Sequence, residues 1–141
     1  MTTISSSRIA GIALVALGLI VGPPSIGSAA LDGSTPMMCA VTTVMECDAS
    51  GKCERLDPAR HPDFPPFLRV NVPAKTITLN PGDAKKSEIK SVTRLDGRLI
   101  LHGGENGRGW AATIAEDSGR MAAGVVADEF AFTLFGTCTT P

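Results

Sequence analysis

The sequence lacks any marked excess of charge: 13 lysines and arginines stand against 14 aspartates and glutamates in 141 residues. A chain so balanced has no broad positive field for nucleic acid or an anionic membrane surface, so neither is an expected partner. Histidine is nearly missing, with only His61 and His102. A zinc site needs three or four ligands in suitable geometry, so neither metal nor cofactor is expected. No G-x-G-x-x-G opening a helix and no G-x-S-x-G elbow occurs, which removes the dinucleotide, phosphate-loop and serine-hydrolase signatures. Ser87, Ser91 and Ser118 stand in no such elbow, and Glu105, Glu116 and Asp117 read as solvated turn acids. The chain is therefore not expected to be an enzyme. There is no internal repeat, no low-complexity tract and no second domain.

Only one long apolar run is present, residues 9–21, and its thirteen residues fall short of a spanning helix, which takes about 20. Its context is that of a secretory signal peptide over residues 1–30. Arg8 supplies the positive n-region, Gly22-Pro23-Pro24 ends the apolar segment, and Ser28-Ala29-Ala30 offers the small side chains that signal peptidase accepts. Cleavage after Ala30, or after Ala29, would leave a chain of about 111 residues and no stable membrane insertion. A lipoprotein is not expected, because Pro36-Met37-Met38 stand ahead of the first cysteine, where small residues are required. The expected location is the periplasm or the extracellular space.

Four cysteines, Cys39, Cys47, Cys53 and Cys138, all follow that segment. An even count in an exported chain argues for disulfides. After a flexible lead-in at 31–38, a β domain is expected over 39–141. Its apolar residues recur with period two and turn residues interrupt them every few positions, giving about eight strands. These are read at 39–47, 67–72, 75–79, 88–95, 98–102, 110–115, 120–127 and 130–138. Pro58, Pro62, Pro65 and Pro66 make residues 54–66 a loop. Asn80-Pro81-Gly82-Asp83 reads as a turn, and Asp96-Gly97 as a type I′ hairpin.

Short connections favour sequential antiparallel pairing. A meander of that length has two raw edges, which closure into an up-and-down barrel removes; a two-sheet sandwich is the alternative. Cys39, Val41, Thr43, Met45 and Cys47 are expected on one face, and Cys138 shares the inward face of Phe130, Phe132 and Leu134. Closure would then bring Cys39 to Cys138 and leave Cys47 with Cys53 across the Asp48–Lys52 turn. Pairing Cys39 with Cys47 would require sulfurs more than about 20 Å apart to meet along one extended strand.

The one stretch that suggests a site is glycine-rich, His102-Gly-Gly-Glu-Asn-Gly-Arg-Gly-Trp110. Read functionally it is a loop at a barrel mouth, with His102, Glu105, Asn106, Arg108 and Trp110 as candidate ligand contacts. Read structurally it is a long hairpin whose glycines supply positive φ. Ala112, Ala123, Ala127 and Gly136 are small inward positions that would leave space beneath Trp110. Asp48-x-Ser50-Gly51-x-x-Glu54 has calcium-loop ingredients without EF-hand length or spacing, and reads as a disulfide-closed turn.

The segments CAVTTVMEC (39–47), FLRV near 67, LDGRLIL (95–101), ENGRGW (105–110) and FTLFGTC (132–138) resemble a group of small uncharacterised exported proteins of proteobacteria. That resemblance implies an address and no chemistry. In architecture the chain is also similar to small periplasmic barrels that inhibit lysozyme, but it has no serine- and glycine-rich loop of their kind and no tyrosine. Two functions fit: a monomeric, non-catalytic binding protein for a small ligand, or a protein–protein partner such as an inhibitor of a cell-envelope hydrolase.

Overall fold

A computed structural model describes residues 31–61, 64–79 and 85–141; the expected signal peptide, Pro62 and the expected turn at 80–83 lie outside the described residues. The described residues form nine strands, most of them with alternating apolar side chains: β1 (Met37–Asp48), β2 (Cys53–Leu56), β3 (Phe67–Asn71), β4 (Thr76–Leu79), β5 (Lys86–Leu95), β6 (Arg98–Glu105), β7 (Arg108–Ala115), β8 (Arg120–Val126) and β9 (Phe130–Thr139). Every neighbouring pair is antiparallel, and β1 pairs with β9 as well as with β3. Eight strands, β1 and β3 to β9, therefore close into an up-and-down barrel. The remaining strand, β2, continues the sheet along the last residues of β1. It falls in the segment read as a proline-rich loop: its four residues end before Pro58 and pair with β1 alone, so their backbone partners leave little mark on the apolar pattern.

Both expected disulfides are present, Cys39–Cys138 and Cys47–Cys53. The cysteines of each pair face one another directly across their strands. One detail differs from the expectation that Cys39 to Cys47 share a face. The β1–β9 register shifts between Val41 and Thr43, and the extra residue of such a bulge reverses the alternation beyond it. Cys39 and Val41 point inward before the shift and Val44 after it, which turns Met45 and Cys47 outward. Thr42 Oγ1 donates to the Phe135 carbonyl at 3.2 Å. Opposite the bulge, a Cβ on Gly136 would stand 2.1 Å from the Ala40 carbonyl oxygen. Gly136 thus lets β9 approach β1 and opens no interior space.

The outer staple encloses a polar turn. Asp48 Oδ1 accepts from the Ser50 amide at 2.9 Å, the Ser50 hydroxyl at 2.6 Å and the Lys52 amide at 3.1 Å. The Ser50 hydroxyl above all, and the Lys52 amide next, hold the Asp48 carboxyl below its ordinary value. The carboxylate of the calcium-like stretch is thus turned onto its own backbone. Because Cys39 and Cys138 are 0% and 1% exposed while Cys53 is exposed, thiol attack reaches the two bonds unequally. Brief exposure to a dithiol reductant followed by alkylation should label Cys47 and Cys53 at least about tenfold faster than the other pair. Equal rates by mass spectrometry would contradict this burial.

The lower end of the barrel carries the β3–β4, β5–β6 and β7–β8 connections, and residues 31–36 close it. Read as a flexible lead-in, this segment instead packs on the core, and Met37 and Met38 already belong to β1. Leu31 is buried and its amide donates to the Glu116 carbonyl at 3.2 Å. A Cβ on Gly33 would touch Val72 and Leu99 at 3.1 Å, and the Arg94 guanidinium donates to the Asp32 carbonyl. The interior above this plug is filled by Met37, Val70, Ile89, Leu99, Leu101, Ile114 and Met121. At the upper end the interior is less full.

Candidate functional site

Two strands set the space. Ala112 of β7 and Ala123 of β8 face each other across the sheet and point inward, where larger side chains would fill the barrel. The result is a cavity of about 150 Å³ in the upper half. Its wall is apolar almost throughout, with Leu68, Ile77 and Leu79 contributed by β3 and β4 and Ala112, Ala123 and Leu134 by β7, β8 and β9. Of the four small positions expected to leave room, Ala112 and Ala123 do so. Ala127 lies in the β8–β9 connection and Gly136 at the β1 contact.

Trp110 forms part of the wall and is held on two sides. Its cross-strand partner is Gly103, and a Cβ there would fall 2.3 Å from the indole. The ring therefore lies across bare backbone, as only glycine permits. Its Nε1 donates to Ser87 Oγ on β5 at 2.9 Å. Ser87 is 6% exposed, the one buried polar side chain among the described residues, and it lines the cavity. In the sequence Ser87 stands out only as a possible nucleophile. Its partner lies 23 residues away, a distance at which no local pattern announces a contact.

The mouth is polar and aromatic. Asn106 and Gly107 have φ of 51° and 74°, so the expected glycine-rich loop is a two-residue type I′ turn, with Gly103, Gly104 and Gly109 inside the strands. Glu105 and Arg108 flank that turn as a cross-strand pair and both line the cavity. The Arg108 guanidinium stands over the Phe130 ring at 5.5 Å, a cation–π arrangement. Phe130 meets Phe132 edge-on at 5.0 Å, Phe132 meets Phe64 at 4.4 Å, and Phe64 meets His61 at 5.2 Å. This row of rings brings Phe64 and Pro65, from the chain between β2 and β3, into the wall. Proline density identified that segment as a loop and gave no sign of where its phenylalanine packs.

Three of the five candidate contacts, Glu105, Arg108 and Trp110, thus line one cavity. His102 does not, because alternation puts it on the outer face of β6 while Gly103 and Glu105 turn inward. There its Nδ1 lies 3.0 Å from Ser91 Oγ. Asn106 is exposed at the turn and is not in the wall. His102 and Glu105 therefore face opposite ways. Among the described residues no three His, Cys, Asp or Glu side chains gather into a group able to hold a metal. The chain matches no protein-family model, and no curated protein or solved structure is significantly similar to it.

Proposed function

We propose that this protein is an exported, non-catalytic binding protein that holds a small apolar ligand inside the upper half of its barrel. The observation that carries the reading is the apolar cavity beside Trp110, open to a mouth bearing Glu105 and Arg108. A barrel of eight strands is just wide enough to be filled by side chains or to hold one small molecule, and here two alanines withhold the filling. Two disulfides fit an oxidising environment, and the signal-like segment at 1–30 supports export.

Trp110 is the only tryptophan, so its emission reports on the cavity without labelling. Titration of the disulfide-bonded protein with benzene or toluene should change that emission saturably. Ala123→Leu adds a branched side chain to the wall and should weaken the response at least about tenfold, or about 1.4 kcal/mol, while the far-ultraviolet spectrum stays that of a β protein. A Trp110 signal that none of these ligands alters saturably would end the proposal.

A further inference from the structure

The chemistry of the cavity's single hydroxyl restricts what the cavity can take; this inference rests on the binding reading above. We infer that the preferred ligand is a neutral, ring-sized molecule carrying one hydrogen-bond acceptor, which receives the Ser87 hydroxyl proton.

Size comes first. A cavity of about 150 Å³ is of the order that takes a single benzene ring, well under the roughly 300–1,000 Å³ of sites for drug-sized ligands. Sterols, folded peptides and most of a long acyl chain are therefore too large. Charge comes next. The wall is apolar, and an ion within it would lose its hydration without a partner; among the described residues the charged ones that line it, Glu105 and Arg108, are of opposite sign and stand at the mouth.

The remaining choice is between a pure hydrocarbon and a molecule with a polar atom. A serine hydroxyl has one donor and two acceptor sites, whereas an indole N–H can only donate. In the Trp110–Ser87 bond, Ser87 Oγ must therefore accept. That leaves its own proton, and among the described residues Ser87 makes no second hydrogen bond. A donor in a side chain only 6% exposed and lining an apolar cavity is costly unless something accepts from it. The Trp110 bond fixes the oxygen in place, so the donor is oriented in advance for a carbonyl, ether or hydroxyl oxygen.

Cyclohexanone and methylenecyclohexane test this, because they share a shape and differ by one acceptor oxygen. Calorimetric titration of the disulfide-bonded protein should show Ser87→Ala weakening cyclohexanone roughly tenfold while methylenecyclohexane binds as before. Retained hydrocarbon binding shows in the same experiment that the variant cavity is intact. Ser87→Thr, which keeps the hydroxyl, should restore much of the cyclohexanone affinity. If Ser87→Ala changes both ligands equally, or neither, the acceptor inference is wrong and the binding reading stands. If neither ligand binds the unaltered protein, both fall.

Discussion

Replacing Cys39 and Cys138 together by alanine should cost about 4–5 kcal/mol and lower the melting temperature by about 20 °C. These cysteines are direct partners across β1 and β9 and lie 99 residues apart. Their bond removes the freedom of almost the whole domain in the unfolded state, and such loops gain most from closure. Small domains have only about 5–15 kcal/mol in all, so the loss is a large share of the total. The Cys47–Cys53 pair spans 6 residues, and its removal should cost about 2 kcal/mol. Thermal unfolding followed by Trp110 emission separates the two variants. A Cys39/Cys138 variant no less stable than the Cys47/Cys53 variant would refute the claim that closure is held chiefly at the buried pair.

Gly119→Ala should be nearly as damaging, at about 3 kcal/mol or more. Gly119 ends the β7–β8 turn at a φ of 69°. Its amide donates to the Ala115 carbonyl at 2.8 Å, and its carbonyl accepts the Cys138 amide at 2.8 Å. A Cβ there would stand 2.1 Å from the Cys138 oxygen and 2.8 Å from the Leu31 side chain. Positive φ costs alanine about 1–2 kcal/mol by itself. The remainder comes from pushing β9 off the turn and Leu31 out of the core. Gly97→Ala isolates the first contribution, since Gly97 has a φ of 70° and nothing within 4 Å of its would-be Cβ. Urea unfolding midpoints should separate the two by at least about 1 kcal/mol after conversion with a common slope. Equal midpoints would mean that the close approach contributes nothing.

Much of this architecture is legible in the sequence because its signals are local. Asp96-Gly97 announces its turn, and the rows Leu99–Leu101, Trp110–Ile114 and Phe130–Cys138 announce their inward faces. The barrel and both disulfides follow from those rows and from the cost of raw edges. Features that depend on contact between distant residues are not announced. Thr42 looks like any strand threonine, and no local pattern marks it as the extra residue of a bulge opposite Phe135 and Gly136. Asn106-Gly107 is a turn signal of the same kind as Asp96-Gly97, but it is masked by the glycines on either side. Those glycines serve packing: Gly103 makes room for a tryptophan seven residues on. The site is legible in the same measure. Trp110, Glu105 and Arg108 belong to a cluster visible in the sequence together with His102 and Asn106, which the wall leaves out, whereas Ser87 and Phe64 enter through tertiary contacts alone.

Pairing of the first barrel strand with the last also bears on how the chain can be delivered. The other strand neighbours in the barrel are β1 with β3 and, from β3 onward, strands successive along the sequence, so each of these pairs can form as its second half arrives. The β1–β9 seam cannot, because residues near 39 must wait for residues near 138. Contacts of such long range form slowly, and until they form the sheet has two unpaired margins able to pair with other chains. A chain passing N-terminus first through a narrow pore would therefore emerge as an open sheet for as long as β9 had not crossed. The barrel is completed only once β9 is through.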